Sequence, residues 1–219
     1  MSCACSRLAQ FSQDPRESHY NEAAIRLVKC LLNTSSHSMC HRRNNETLKC
    51  MYKDFDSTHH NVAVSADSSF LSCEKTGRSQ AGCVLFHGNA PVIWKSFLQR
   101  VVAGSTAEAE HMAMGEATRE LIYSRQFLKE LGVDDAVPSL LFEDNAPCIK
   151  IAENAGFTQR SKSIRTKCHM VREALDSKII QIVKVPGTDN VADALTKSLT
   201  VARTKQYNRY LHGNAHMLQ

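Results

Sequence analysis

The sequence predicts an α/β domain in which a mixed β-sheet of five strands is flanked by helices. Three short apolar stretches between residues 62 and 94 predict a group of strands. A long amphipathic helix follows, and two further strands then alternate with helices. This order of elements is typical of a mixed sheet with helices packed on its faces.

The leading strands are bounded by polar loops and turns. The first begins near Val62 and ends at Asp67, and a polar loop separates it from the second strand, residues 81–86. A Gly-Asn turn suits a tight connection to the third strand, residues 91–94. Because aromatic residues in the middle of a strand usually pack, we expect Trp94 to lie in the core and not to stack on bases.

The long helix is predicted to begin at Ser105 and to end at Gly132. Ser105 and Glu108 fit a capping box, in which each side chain accepts from the other residue's backbone N–H. Apolar residues then recur at helical spacing, which indicates one face buried against the sheet. Since the capping box accounts for Glu108, this residue is not a candidate for a functional site.

The second half of the chain is predicted to alternate strands and helices. A fourth strand, residues 139–143, is followed by a short helix, and residues 160–176 form a basic helix. Residues 179–185 form the fifth strand, and residues 190–197 open a last helix.

The chain is predicted to have three segments. Residues 1–60 are polar and partly disordered, apart from one amphipathic helix at residues 15–32. Residues 61–199 form the α/β domain, and residues 200–219 form a C-terminal helical tail.

Composition and charge exclude several classes of protein. The 219 residues are 42% hydrophobic and 22% charged with a net charge of +5, which rules out an acidic or wholly disordered chain. No apolar stretch reaches the roughly 18 residues of a membrane span, and the start lacks the apolar core of a signal peptide. We therefore expect an intracellular protein, cytoplasmic or nuclear, whose nine cysteines are reduced.

Cysteine and histidine residues near the N-terminus make a zinc-based interaction module an alternative. Their spacing fits no paired zinc-knuckle pattern, and buried or incidental thiols explain them more simply. The residues concerned are Cys3, Cys5, His37, Cys40, His41 and Cys50.

Four carboxylates at the edges of predicted elements form the candidate site. They are Asp67 at the end of the first strand, Glu110 in the long helix, Asp144 after the fourth strand and Asp193 in the last helix. Strand ends and helix starts meet at one rim of an α/β sheet, so these side chains are expected to converge. Clustered carboxylates need a cation, and oxygen ligands suit Mg²⁺ or Mn²⁺. Taken singly, each is better explained as a cap, a turn residue or a solvated side chain.

Short sequence motifs surround these carboxylates. In chain order they are Asp-Ser-Ser-Phe at 67–70, Gly-Arg-Ser-Gln-Ala-Gly at 77–82, Ile-Trp-Lys-Ser at 93–96, Ser-Thr-Ala-Glu-Ala-Glu at 105–110, Glu-Asp-Asn at 143–145, Arg-Ser-Lys-Ser-Ile at 160–164 and Val-Pro-Gly-Thr-Asp-Asn-Val-Ala-Asp-Ala-Leu-Thr-Lys at 185–197. Together they resemble the ribonuclease H domain at the C-terminal end of copia-type LTR retrotransposon Pol polyproteins. The resemblance covers residues 61–199, and weaker matches upstream resemble the connector that follows the reverse transcriptase.

The resemblance implies a ribonuclease H-like fold and a metal-dependent nuclease. It implies hydrolysis of the RNA strand of RNA–DNA hybrids with two Mg²⁺ ions, for which Mn²⁺ can substitute. Asp67, Glu110, Asp144 and Asp193 would bind the metal and carry out catalysis. The implied protein partner is the reverse transcriptase domain of a parent polyprotein. The chain is expected to be the C-terminal piece, without the polymerase palm, and no membrane partner is expected.

Substrate contacts are predicted from polar and basic residues near the carboxylates. Ser68 and Asn145 are expected to position the substrate. Five basic residues of the predicted basic helix are candidates for salt-dependent phosphate contacts, although a solvated helix face explains them equally well. These five are Arg160, Lys162, Arg165, Lys167 and Arg172.

The chain departs from the family pattern in two places. Glu143 replaces a cysteine, and no histidine stands at residues 186–188, where cellular enzymes carry a mobile one. The copia family often lacks this histidine too, so its absence does not argue for inactivity, and the four intact carboxylates favour an active nuclease. The alternative is a decayed element copy that binds nucleic acid without cutting it.

Overall fold

The computed structural model contains the five-stranded mixed sheet that the sequence predicts, with helices on both faces. No helix in the part of the chain that the structure describes has the length and apolar character needed to cross a membrane. The described residues are 2–12, 16–36, 38–39, 41, 46–52, 62–133, 136–154 and 162–212.

The elements within these ranges follow the predicted order. The helices are α1 (Ser2–Ala9), a π-helical segment (His19–Ala24), α2 (Ile25–Asn33), α3 (Glu46–Met51), α4 (Thr106–Glu130), α5 (Ala146–Glu153), α6 (Lys162–Asp176), a 3₁₀ helix (Val191–Leu195) and α7 (Val201–Leu211). The strands are β1 (Val62–Ser69), β2 (Gln80–His87), β3 (Ala90–Leu98), β4 (Ser139–Glu143) and β5 (Ile180–Lys184).

The sheet has the order β3-β2-β1-β4-β5, which puts β1 at its centre. The first three strands pair antiparallel, whereas β4 is parallel to β1 and β5 is parallel to β4. The register pairs Ser65 with Phe142. Residues that follow β4 therefore lie at the same edge of the sheet as the C-terminal part of β1.

Both faces of the central strand are buried. Val62 and Val64 pack towards α4, α5 and α6, while Ala63 packs on the opposite face. On that second face, Leu48 of α3 and Tyr207 of α7 are fully buried in the same cluster as Ala63. Both flanks of the predicted 61–199 domain thus contribute side chains to its core.

The structure corrects the predicted ends of two strands and the predicted cap of the long helix. Asp67 does not end the first strand, because β1 continues to Ser69. The third strand extends to Leu98 instead of residue 94. At the start of α4, Ser105 accepts from the Glu108 N–H at 3.2 Å as predicted, but the Glu108 carboxylate accepts from the Gly104 N–H at 2.8 Å.

One prediction about burial is wrong. Trp94 is 47% exposed, because it lies on the edge strand β3 and not in the core. The helix predicted at residues 15–32 corresponds to the π-helical segment and α2, and Val28 and Leu32 on its apolar side are exposed. The last predicted helix, residues 190–197, is a short 3₁₀ helix, and α7 follows it as a separate element.

Candidate metal centre

Three of the four predicted carboxylates meet at one edge of the sheet. Asp67 comes from the C-terminal part of β1, Glu110 from the second turn of α4, and Asp144 from the residue after β4. One oxygen from each lies within 4.8 Å of the others. We call Asp67, Glu110 and Asp144 the acidic trio.

Two members of the acidic trio are buried, and within the described residues no cationic side chain forms an ion pair with Glu110 or Asp144. Asp67 is fully buried and Glu110 is 5% exposed. Burial, together with repulsion from Asp67, raises the pKa of Glu110 to about 10. Within the described residues, Oε2 of Glu110 is buried and has no hydrogen-bond partner. A buried, unpartnered carboxylate oxygen beside two further carboxylates fits Mg²⁺ or Mn²⁺, which take oxygen ligands.

Asp193 lies beside the trio but is bound by two cationic side chains. Its Oδ1 lies 2.6 Å from Nζ of Lys197, and its Oδ2 lies 3.2 Å from Nη2 of Arg203. The same Lys197 Nζ is 3.1 Å from Oδ1 of Asp67. We call Asp67, Lys197 and Asp193 the lysine bridge. The structure thus joins the fourth predicted carboxylate to the trio through a lysine.

Asn190 holds the chain segments of the site together. Its Nδ2 donates to the Ala66 carbonyl at 2.7 Å and to Oδ1 of Asp144 at 3.2 Å. Its Oδ1 accepts from the Ser65 hydroxyl at 2.7 Å and from the Ala192 N–H at 3.1 Å, which caps the 3₁₀ helix. One buried amide therefore fixes β1, Asp144 and the 3₁₀ helix relative to one another.

Because the 3₁₀ helix lies close to β2, the side chains of Thr196 and Lys197 reach the carboxylate of Asp67. Gly82 pairs with Asp67 across the sheet, and a Cβ on Gly82 would lie 2.5 Å from Cβ of Leu195. Only glycine leaves room for this contact. The Thr196 hydroxyl then donates to Oδ2 of Asp67.

Glu143 is a fifth carboxylate that the sequence analysis did not include in the site. It is fully buried, and burial raises its pKa to about 8. Its Oε1 accepts from the Asn145 N–H at 3.0 Å, while Oε2 has no hydrogen-bond partner among the described residues. Its position beside Asp144 in the Glu-Asp-Asn motif could have indicated that it belongs to the site. Strand periodicity alone does not show that the last residue of a strand points inward.

The two predicted substrate-positioning residues make contacts within the protein. Ser68 is buried, and its hydroxyl accepts from Nε2 of Gln99 at 3.3 Å. Asn145 is half-buried and caps α5, because its Oδ1 accepts from the Cys148 N–H at 2.9 Å. Their assignment to the substrate stays a prediction.

The five basic residues predicted to contact phosphate separate into two groups. Lys167 donates to the Met112 carbonyl at 3.2 Å, and Arg172 donates to the Ile151 carbonyl at 3.0 Å, so both join α6 to neighbouring helices. Arg160 lies outside the described residues, and the side chains of Lys162 and Arg165 are not described either.

The predicted zinc ligands do not assemble in the described part of the chain. The group of potential ligands found there is the acidic trio and contains neither cysteine nor histidine. Cys3 is buried and Cys5 is exposed, while His37 and Cys40 lie outside the described residues.

The order and directions of the five strands define a ribonuclease H-like fold. Its mixed sheet, with β1 at the centre and helices on both faces, is the fold that the sequence predicts. In sequence, the chain is homologous to retrovirus-related Pol polyproteins from transposons.

Two of these relatives show the extent of the similarity. The retrovirus-related Pol polyprotein from transposon RE2 of Arabidopsis thaliana is 28% identical over 209 residues, which cover 95% of this chain and 13% of that protein. The corresponding polyprotein from transposon TNT 1-94 of Nicotiana tabacum is 28% identical over 190 residues, covering 87% and 13%. The chain therefore spans about 13% of the length of these curated relatives. No protein-family model matches the chain.

Solved structures with similar folds include ribonucleases H. RNase H1 from the archaeon Halobacterium salinarum NRC-1 is 22% identical with a TM-score of 0.42, and the match covers 62% of this chain and 93% of that one. LC11-RNase H1 in complex with an RNA/DNA hybrid is 12% identical with a TM-score of 0.45, again covering 62% and 93%.

Proposed function

We propose that this chain is a metal-dependent nuclease that hydrolyses the RNA strand of RNA–DNA hybrids during retrotransposon reverse transcription. The observation that carries the proposal is the acidic trio, whose oxygens lie within 4.8 Å of one another. The unpartnered Oε2 of Glu110 supports a cation in this place. Homology to Pol polyproteins from transposons supports the biological setting.

The proposed site uses the trio and Asp193 to hold divalent ions, Mg²⁺ or Mn²⁺. When bound, such ions activate the attacking water and stabilise the leaving oxygen of a phosphodiester. The chain's own residues fix the ligands, since Thr196 orients Asp67 and Asn190 orients Asp144. Because Asp67 and Glu110 are buried, electrostatic interactions within the site are stronger than they would be in water.

The proposed substrate follows from the homology and from the chemistry of hybrids. A hybrid duplex presents a wide minor groove with 2′-hydroxyls on one strand, which a protein can use to distinguish RNA from DNA. Arg160, Lys162 and Arg165 remain candidates for phosphate contacts. The contacts of Lys167 and Arg172 favour a role in helix packing instead. The proposed protein partner is the reverse transcriptase domain of a Pol polyprotein.

Cleavage assays on a substrate panel test this function. The purified full chain is incubated with a labelled RNA–DNA hybrid, duplex DNA and duplex RNA, each with Mg²⁺ and with a chelator. We expect Mg²⁺-dependent cleavage of the RNA strand in the hybrid alone. Equal cleavage of duplex DNA would contradict the substrate class. Salt-dependent hybrid binding without any cleavage would favour the alternative, a decayed copy that only binds nucleic acid.

A further inference from the structure

Lys197 stands where a cation is needed between two buried carboxylates. We propose that the ammonium of Lys197 takes the place of a second metal ion. The chain without substrate then binds one divalent ion, at the acidic trio, instead of two. This inference rests on the proposed metal dependence and concerns the number of ions. It makes Lys197 a positioning residue that decides which carboxylates are open to metal.

The geometry divides the site into two halves. In the lysine bridge, Nζ of Lys197 lies 3.1 Å from Asp67 and 2.6 Å from Asp193. Within the described residues, no lysine, arginine or histidine forms an ion pair with Glu110 or Asp144. One half therefore already holds a cation, and the other half has carboxylates without one.

The fold fixes the position of Lys197. Its backbone N–H donates to the Asp193 carbonyl at 3.0 Å, at the end of the 3₁₀ helix. That helix is capped by Asn190 and approaches the sheet closely over Gly82. The backbone of Lys197 is thus held within reach of Asp67, and its ammonium is bound by the two carboxylates.

The cations of the site do not neutralise its carboxylates. The trio, Asp193 and the adjoining Glu143 carry five negative charges when all are ionised, while Lys197 and Arg203 contribute two positive charges. The excess negative charge favours a divalent cation at the trio. A second ion between Asp67 and Asp193 has to displace Lys197, because like charges at that distance repel strongly in a buried site.

Displacement of Lys197 is physically accessible. Its side chain is 41% exposed, whereas the side chains of Asp67 and Asp193 are 1% and 5% exposed. The lysine can therefore turn towards solvent while the carboxylates stay in place. Removing it without a replacement leaves the buried Asp67 without an ion-pair partner and Asp193 with Arg203 alone, which is costly. Lys197 thus neutralises this half of the site until a second cation takes its place.

Metal-binding stoichiometry tests this inference without relying on activity. Mn²⁺ is titrated into the full chain, and bound ions are counted by calorimetry and by electron paramagnetic resonance of free Mn²⁺. We expect one ion per wild-type chain and two per chain in Lys197→Met, with the second site at least about tenfold tighter than any second site of the wild type. Lys197→Arg, which keeps the charge, is expected to bind one ion.

Lys205→Met is the matched control, because Lys205 is exposed and forms no ion pair within the described residues. Two ions on the wild type, or one ion on Lys197→Met, would overturn the inference and leave the proposed function standing. No Mn²⁺ on any of these chains would overturn the proposed function itself. If Lys197→Met does not fold, the wild-type stoichiometry and Lys197→Arg still decide the question.

Discussion

Glu110 shows how one residue couples metal binding to stability. Its pKa is raised from 4.5 to about 10, mainly by burial. Because the folded pKa lies above the unfolded one, folding disfavours the ionised form. The metal-free protein therefore loses stability as pH rises from about 4.5 towards 10. Asp67 and Glu143, with pKa values raised to about 6 and about 8, act in the same direction.

We expect Glu110→Gln to stabilise the metal-free protein at pH 8 by about 1–3 kcal/mol, because the amide has no charge to bury. The gain should shrink as the pH falls to 5. Thermal unfolding across this range, with a chelator present, measures the effect. The same substitution should abolish stabilisation by added Mg²⁺. A variant with the wild-type pH slope would show that Glu110 does not carry this charge.

Asn190 is the residue whose loss should disturb the site most without removing a carboxylate. Its amide makes four hydrogen bonds that join β1, Asp144 and the 3₁₀ helix. Asn190→Ala leaves several buried groups unpaired, so we expect a loss of about 2–3 kcal/mol in the free energy of unfolding. Urea denaturation measures this loss. Unchanged stability would mean that other contacts fix these segments.

At the scale of elements, the approach of the 3₁₀ helix to the sheet depends on Gly82. In Gly82→Ala the new methyl group would lie 2.5 Å from Cβ of Leu195, so the helix has to shift. We expect a loss of about 1–3 kcal/mol, measured by urea denaturation, because overpacking in a tight contact is costly. Gly104→Ala is the control, since its new methyl group would meet only the flexible carboxylate of Glu108. Equal effects of both substitutions would contradict this account.

The sequence predicted the positions of strands and helices better than it predicted which of their side chains are buried. Hydrophobic patterning located all five strands and the long helix, because periodicity depends on neighbouring residues. It did not show that β3 is an edge strand, so the expectation that Trp94 is buried was wrong. It also gave no sign that the apolar side of α2 stays exposed. Both properties depend on which elements become neighbours in space.

For the site, the sequence motifs predicted the carboxylates but not their partners. The trio was predicted from the resemblance, and the structure brings its members together. The roles of Asn190 and Lys197 were missed, because the contacts that join them to β1 are made with residues far away in the chain. Asn190 contacts Ser65 across 125 residues, and Lys197 contacts Asp67 across 130. Such contacts cannot be derived from local spacing.

At the scale of the whole molecule, the core extends beyond the predicted 61–199 domain. Tyr207 and Tyr210 of α7 are buried against the second face of the sheet, and Arg203 binds Asp193. A chain ending at residue 199 should therefore be less stable than one ending at residue 212, by about 3–5 kcal/mol or more, because buried aromatic side chains are removed. Urea denaturation of the two chains measures the difference. Equal midpoints and slopes of the two urea denaturation curves would show that α7 does not contribute to the stability of the domain.

The most direct test of the central claim compares hybrid cleavage by three chains. These are the wild type, the double variant Asp67→Asn/Asp144→Asn, and the control Glu130→Gln, which changes an exposed acid at the far end of α4. The rate of Mg²⁺-dependent cleavage of a labelled RNA–DNA hybrid is measured for each. We predict a loss of about a hundredfold or more in the double variant and wild-type rates in the control. Cleavage that survives in the double variant would contradict the assignment of the acidic trio.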